Sequence, residues 1–357
     1  MRILAYLILL GILYLSWTWT LRRALNNLTC TRTFSASAVF EGEEGQLVEV
    51  VRNDKGYVIP WLRLESYISP HIRLGRKDNL EVTGERYYRS LFTLMPYQQV
   101  RRTHHVTFLR RGAYNLGNAS LTVGDVLGVC RFQRTQTLDV PLLVYPRLLS
   151  REELPVPVSR TLGELSRRRQ LQEDPFLFRG IRPYQPGDPV RDIHWPATAR
   201  TGDVQLRIHD HTARTRLLVV LNVQAQDDQW YDRLDPQGEQ RIEYGISVAA
   251  TVCVDALRQG LAAGFAANMP LDRTKETTLL LPMEGAAREE ELLSAFARLQ
   301  LVRTYDFSTL LDNLNAYSGL DVLVLSCYDN GEIRAAMRRL QRRGNQVSFH
   351  LLNGGGV

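Results

Sequence analysis

The sequence predicts an α+β multidomain chain: an N-terminal transmembrane helix, an antiparallel β-sandwich, then an α/β domain. Three observations carry this reading. An uncharged apolar run opens the chain, period-two alternation fills residues 28–150, and strand and helix patterns alternate from residue 214 to the end. A length of 357 residues fits two domains with an additional segment. Apolar residues at 44% and charged residues at 23% are enough for a packed core, which argues against wholesale disorder.

Residues 1–24 form the expected anchor. "ILAYLILLGILYLSWTWTL" (Ile3–Leu21) carries no charge. At ~1.5 Å per residue a helix of that length nearly spans a hydrocarbon core. Trp17 and Trp19 stand at its end, where interfacial aromatics belong, and Arg22 and Arg23 follow. A cleaved signal peptide fits less well: its basic region would be Arg2 alone, and no small-x-small site directly follows the run. Arg22, Arg23 and Arg32 against Arg2 predict a single-pass protein with its domains in the cytoplasm.

Residues 28–150 read as the sandwich. "GQLVEVVRN" (Gly45–Asn53), "WLRLESYI" (Trp61–Ile68) and Arg101–Gly117 alternate apolar and polar, with turn signals at Asn53-Asp54-Lys55-Gly56, Ser69-Pro70 and Gly117-Asn118. His104 and His105 project to opposite faces of one strand, so they read as strand residues rather than as a ligand pair. Residues 151–213 read as a connector with one short helix over Leu162–Leu171, followed by a polar, Arg-rich stretch.

Residues 214–357 change period. "RLLVVLNV" (Arg216–Val223) and "LDVLVLSC" (Leu320–Cys327) are buried strands, as a parallel sheet requires. Arg241–Gly264 reads as one long helix with a glycine stop. "TTLLLPM" and "NQVSFHLLN" read as strands. "REEELLSAFARLQ", "FSTLLDNLNAYSG" and "GEIRAAMRRLQRRG" read as helices packed on both faces.

The net charge of +6 comes from arginine, with lysine only at 55, 77 and 275. The basic clusters are scattered and interleaved with acids, which argues against a nucleic-acid partner. Cys30, Cys130, Cys253 and Cys327 show no short spacing, which excludes a zinc ribbon; Cys253 and Cys327 read as buried thiols, and none of the four demands an oxidising compartment.

One stretch concentrates chemistry-bearing residues: "PYQPGDPVRDIHWPATARTGDVQLR" (Pro183–Arg207). Pro186-Gly187 suggests a type II turn that Asp188 can cap. Arg191, Arg200 and Arg207 can pair with Asp188, Asp192, Asp203 or Asp210. Trp195 adds a large apolar body with one N–H donor. Three readings stay open. The first is a hydrogen-bonded corner joining the connector to the α/β domain, with Asp188 in a buried ion pair. The second is a partner-docking surface rich in Arg and Trp. The third is a hydrolase or transferase site centred on Asp188, His194 and Arg200, although the stretch holds no Ser or Cys nucleophile. No P-loop, H-E-x-x-H or G-x-S-x-G occurs in the chain.

The same stretch resembles the signature of the DUF58 family, roughly F-x-G-x-R-x-Y-x-x-G-D-x-x-R-x-I-x-W-x-x-x-A-R. Here it is supplied by Phe178, Gly180, Arg182, Tyr184, Gly187, Asp188, Arg191, Ile193, Trp195, Ala199 and Arg200. "GDVLGVCRF" and "VPLLVYPRL" within Gly124–Leu148 resemble the segment that precedes the signature. The resemblance implies a bacterial or archaeal membrane-anchored protein, in a bacterium one of the inner membrane, with a β-sandwich and a von Willebrand factor A-like α/β domain. It also implies the company of a MoxR-type AAA+ ATPase and a transglutaminase-like protein.

One departure stands out. A von Willebrand A domain binds Mg²⁺ through D-x-S-x-S at the carboxyl end of its first strand, with a later Asp, because hard cations need oxygen ligands and carboxylate charge. Here Asn222, Gln224 and Gln226 take the first three positions and Cys327 the later one. Asp227, Asp228 and Asp329 are near enough in sequence for a displaced site. The reading that follows is a degenerate domain with no metal and no cofactor. The chain is then a non-enzymatic scaffold or adaptor in contact with the bilayer and a protein partner. The alternatives are the hydrolase or transferase and a metal-dependent adhesion module.

Overall fold

The computed structural model describes residues 23–75, 80–83, 87–124, 131–173, 180–186, 188, 190–208, 215–227, 229, 234–272 and 276–352, together with 6, 8, 9, 11, 12, 14–16 and 19. The chain divides into two compact units, Met1–Arg147 and Leu148–Val357. It is a mixed α+β protein rich in antiparallel sheet.

In the first unit the strands are β1 (Leu28–Phe34), β2 (Ala38–Phe40), β3 (Glu44–Asn53), β4 (Ile59–Tyr67), β5 (Ile72–Leu74), β6 (Leu80–Thr83), β7 (Tyr87–Leu94), β8 (Gln99–Phe108), β9 (Gly112–Asn115), β10 (Asn118–Gly124), β11 (Arg131–Thr137) and β12 (Pro141–Tyr145). One sheet runs β1-β3-β8-β5 and a second β11-β10-β4-β7-β6, both antiparallel. A third, β2-β12-β9, joins β2 to β12 in parallel. Leu47 and Val51 of the first sheet and Leu62, Leu64, Phe92 and Leu121 of the second share one core, so the two sheets pack as a sandwich.

The alternation that predicts this core also buries charge in it. On β3 the inward positions are Leu47, Glu49, Val51 and Asn53. Glu49 lies directly opposite Arg32 on β1, and both side chains are fully buried. Arg32 Nε donates to Glu49 Oε1 at 2.8 Å, and Nη1 donates to Ser66 Oγ across the sandwich. Tyr88 Oη sits 3.2 Å from Glu49 Oε2 and 2.8 Å from His104 Nε2. Both contacts are satisfied when His104 Nε2 donates to Tyr88 and Tyr88 donates on to Glu49. Of the two histidines on β8, His104 is buried in this cluster and His105 is exposed. Burial alone would raise the Glu49 carboxyl, but the adjacent His104 and Arg32 outweigh it and hold the group below its ordinary value. Burial pushes the neighbouring Cys30 thiol up to about 12.

Most of the expected span Ile3–Leu21 lies outside the described residues. Those of it that are described are helical and exposed, among them Tyr6, Ile8, Leu9, Ile12, Leu15 and Trp19. Among the described residues no helix is long and apolar enough to cross a membrane. Ala24, Leu25 and Leu28 then enter the sandwich core. Lys55 Nζ donates to Asn26 O at 2.6 Å and to Ala24 O.

The second unit opens with α1 (Val156–Glu173), longer than the helix expected over Leu162–Leu171. Its Val158, Leu162 and Leu165 recur at helical spacing and are buried. Next come β13 (Gly180–Pro183), α2 (Trp195–Thr201) and β14 (Gln205–Ile208). The remainder is β15 (Arg216–Leu221), α3 (Pro236–Arg258), β16 (Ala262–Ala267), β17 (Thr278–Met283), α4 (Ala286–Arg298), α5 (Phe307–Asn313), β18 (Asp321–Ser326), α6 (Gly331–Arg342) and β19 (Gln346–Leu351). The sheet order is β17-β16-β15-β18-β19. Leu217, Val219 and Leu221 of β15 pack with α3 and α4, whereas Leu218 and Val220 pack with α5 and α6, so helices cover both faces.

Two expectations fail here. The helix expected over Arg241–Gly264 ends at Arg258, and the stop is Gly260, with φ of 74°. "AAGFAA" is strand β16, buried at every position. Its small side chains carry little β signal but allow close packing: a Cβ on Gly264 would run into the backbone of Leu280–Pro282. The sheet is also not wholly parallel, because β17 runs antiparallel to β16. The link over residues 268–277 is shorter than the dozen or so residues a parallel crossover needs.

The Arg32–Glu49 pair makes a testable prediction. Glu49→Gln keeps the shape but strips a buried guanidinium of its counter-charge, and should cost about 3–5 kcal/mol in urea unfolding. The folded pKa of Glu49 lies below its ordinary 4.5, so its contribution is complete above that value and is lost as pH falls through the lower folded one. Wild-type stability should therefore drop on acidification below about pH 4.5 more steeply than that of Glu49→Gln. Parallel curves in that window would contradict the assignment.

Candidate functional site

The signature stretch folds as a small module. β13 pairs antiparallel with β14, from Gly180 opposite Ile208 to Pro183 opposite Gln205. The chain between them makes a turn, a 3-10 turn at Val190–Asp192, and α2. Asp188 closes the first turn: its Oδ2 accepts from Gln185 N at 2.8 Å, and its own N donates to Gln185 O at 3.0 Å. Gly187, which would decide the turn type, lies outside the described residues, as does Phe178.

The partner of Asp188 differs from the expectation. It is Arg182 on β13, bound in a fork of 2.7 and 2.8 Å, an arginine outside the three that the sequence singles out. The side chains of Arg191 and Arg207, and Asp210, lie outside the described residues. Nor is the pair buried as expected; the Arg182 side chain is 37% exposed. The hydrogen bonds from Arg182, then that from Gln185, hold the Asp188 carboxyl below its usual range, and Asp188 raises Arg182 in turn. Tyr184 contributes backbone, its N donating to Val204 O at 2.8 Å.

His194 is committed to architecture. Its N donates to Gln205 O at 2.7 Å, and its Nδ1 accepts from Ala197 N at 3.0 Å, capping α2. Pro196 opens the helix, and Gly202, with φ of 78°, ends it. Arg200 stands exposed in the last turn. The helix has no buried residue, and Trp195 is 64% exposed. Val190, Ile181 and Val204 are exposed as well. Within the module Asp188 and His194 find partners, Leu206 is buried, and Trp195, Val190, Ile181 and Val204 stand exposed.

The second candidate lies at the carboxyl ends of the parallel strands. Asn222 follows β15 and is fully buried. Its Nδ2 donates to Ser326 Oγ at 3.1 Å, and its Oδ1 accepts from Gln224 N at 3.0 Å and Asn268 Nδ2 at 3.3 Å. Asn268, after β16, accepts from Val223 N at 2.8 Å and donates to Tyr305 O at 3.2 Å. Gln229 Oε1 accepts from Ala225 N at 2.9 Å, and Gln224 Oε1 from Phe307 N at 3.4 Å. Neutral amides thus bind one another and the backbone at the strand ends.

The later-strand member of this network is Ser326, buried and bonded to Asn222. Cys327 is half-buried, its thiol pushed up to about 11 by burial. Gln226 is exposed. Asp329 is held by Arg334 at 2.6 Å and Asp227 by Asn330 at 2.5 Å; Asp228 lies outside the described residues. Among the described residues no group of three or more His, Cys, Asp or Glu is disposed to hold a metal. Asn268, Gln229 and Ser326 escaped the sequence reading. Asn268 follows the strand that was read as helix, and Ser326 is one residue out of the assumed phase.

Removing Asn222 should leave Gln224 N and one of the two Asn268 Nδ2 protons without an acceptor, the other proton still held by Tyr305 O. At ~1–3 kcal/mol for each buried orphan, Asn222→Ala should cost about 2–5 kcal/mol in denaturant unfolding. Titration calorimetry with Mg²⁺ or Mn²⁺ should show no saturable heat. Tight binding lost in Asp329→Ala would reveal a displaced site.

Comparison with known proteins comes to bear at this point. Residues 180–343 match the family described as "Protein of unknown function DUF58", which supports placing the chain in that family. The match runs from β13 through α6 and so takes in both candidate sites. No curated protein matches the chain. Solved structures that resemble part of it include the CARDB domain of a Pyrococcus furiosus protein in complex with di-metal ions, at 18% identity over 32% of this chain and 90% of that one, TM-score 0.20. A non-cellulosomal cohesin from Archaeoglobus fulgidus matches at 11% identity over 35% of this chain and 94% of that one, TM-score 0.20. A PapD-like domain of a human protein matches at 10% identity over 33% and 84%, TM-score 0.23. At such scores these likenesses carry no argument about function.

Proposed function

We propose that the chain is a membrane-anchored, non-enzymatic adaptor whose signature module docks a protein partner. The observation that carries this is the module's division of labour. Asp188 is taken by Arg182 and His194 by the first turn of α2, while Trp195, Val190, Ile181 and Val204 stand in solvent. A catalytic reading needs His194, Asp188 and Arg200 to converge on a reacting atom. A docking reading needs exposed aromatic and apolar anchors on a rigid frame, which is what Trp195 and its neighbours offer.

The α/β sheet serves in this reading as a von Willebrand factor A-like domain without its metal site. Support comes from the central first strand, from helices on both faces, and from the amide network at the strand ends. The resemblance names the partner as a MoxR-type AAA+ ATPase, with a transglutaminase-like protein as second candidate. The Ile3–Leu21 run would hold the assembly at the inner membrane, with Arg22 and Arg23 keeping the folded units in the cytoplasm.

Two measurements test the proposal. The intact chain should stay with the membrane pellet after carbonate washing, and its release would remove the anchor. The detergent-solubilised full-length protein should bind the MoxR-type ATPase of its own organism. Trp195→Ala should weaken that binding about tenfold or more, the loss expected of an interface anchor, with melting unchanged. Equal affinity of the variant would exclude the module as the docking surface.

A further inference from the structure

We propose that the outer face of the β11-β10-β4-β7-β6 sheet binds a neutral oligosaccharide. A cleft of about 460 Å³ opens there, within the usual range for small-molecule sites. Thr135, Ser120, Glu65 and Arg89 form one row across four adjacent strands, each directly opposite the next. At ~4.8 Å between strands the row is roughly 14 Å long, the reach of about three pyranose rings at ~5 Å each. Asn118 and Gln133 line the cleft beside this row, and Tyr67, about half exposed, adds an aromatic ring.

The lining selects the ligand. Arg89 Nε binds Glu65 Oε1 at 2.8 Å and Arg63 Nε lies 3.3 Å from Glu65 Oε2, so the one carboxylate of the row is already neutralised and draws no cation. Ser120, Thr135, Asn118 and Gln133 add groups that both donate and accept, and Gln133 Nε2 is already oriented by Ser120 Oγ at 2.6 Å. A fatty or purely aromatic ligand would strand these polar groups. Tyr67 supplies the apolar surface on which the C–H face of a sugar ring can stack.

The floor is braced from behind. Ser66 and Tyr88 line the cleft, and both are members of the buried cluster: Ser66 accepts from Arg32, and Tyr88 bridges Glu49 and His104. Side chains carried on paired strands and fixed by a second layer are pre-organised for binding.

The test uses the detergent-solubilised full-length chain and calorimetric titration with maltotriose, cellotriose and triacetylchitotriose. At least one should bind saturably below about 10 mM. Tyr67→Ala and Gln133→Ala should each weaken it by about tenfold with melting unchanged. Thr135→Trp, which fills the cleft from an exposed position, should abolish it and decides the matter if Tyr67→Ala fails to fold. Absence of saturable binding by all three sugars would overturn the proposal. So would binding that survives Thr135→Trp, or citrate binding in the sugars' place.

Discussion

A polar group taken out of water must find a partner, and at the carboxyl ends of β15, β16 and β18 that requirement shapes the α/β unit. The backbone amides of Val223, Gln224 and Ala225 leave the sheet there in a buried space. A cation with its carboxylates would be one way to organise such a space. Here Asn222, Asn268, Gln229 and Ser326 do it with neutral groups. Each amide offers donor and acceptor together, so the network closes on itself without a net charge to solvate. The positions of β15, of the loop after it and of the start of α5 all depend on that closure.

The same requirement acts in the sandwich with a different solution. Arg32 and Glu49 bring full charges into the core, where their pairing alone gives little net stability. Ser66, Tyr88 and His104 complete the set and tie the two sheets together across it. In the signature module Asp188 and His194 again find local partners, but at the surface. Trp195 and Val190 stand exposed there, which is the ground on which we propose a protein partner.

Much of the fold was legible in the sequence because periodicity reports burial directly. The alternation in β3 and β4 and the continuous apolar runs of β15 and β18 correspond to observed strands. β16 was not legible, because an Ala-Gly run beneath helices carries no β-branched signal and continues a helical pattern smoothly. The residues of the signature were legible as a group but their pairing was not. Asp188 has several arginines within reach in sequence, and only the hairpin of β13 and β14 selects Arg182. The neutrality of Asn222, Gln224 and Gln226 was visible, whereas the reach of Ser326 depends on strand phase. The buried charge at Glu49 looked like ordinary alternation, since polar residues on the core face break the rule that periodicity relies on.

The central claim is that the signature module acts by contact rather than by proton transfer. The most direct measurement compares His194→Asn with Trp195→Ala for their ability to replace the wild-type chain in a deletion strain, both at normal abundance. Asparagine retains the cap of α2 but has no imidazole. The adaptor account predicts that His194→Asn restores function and Trp195→Ala does not. Full activity of Trp195→Ala together with failure of a stably folded His194→Asn would contradict it.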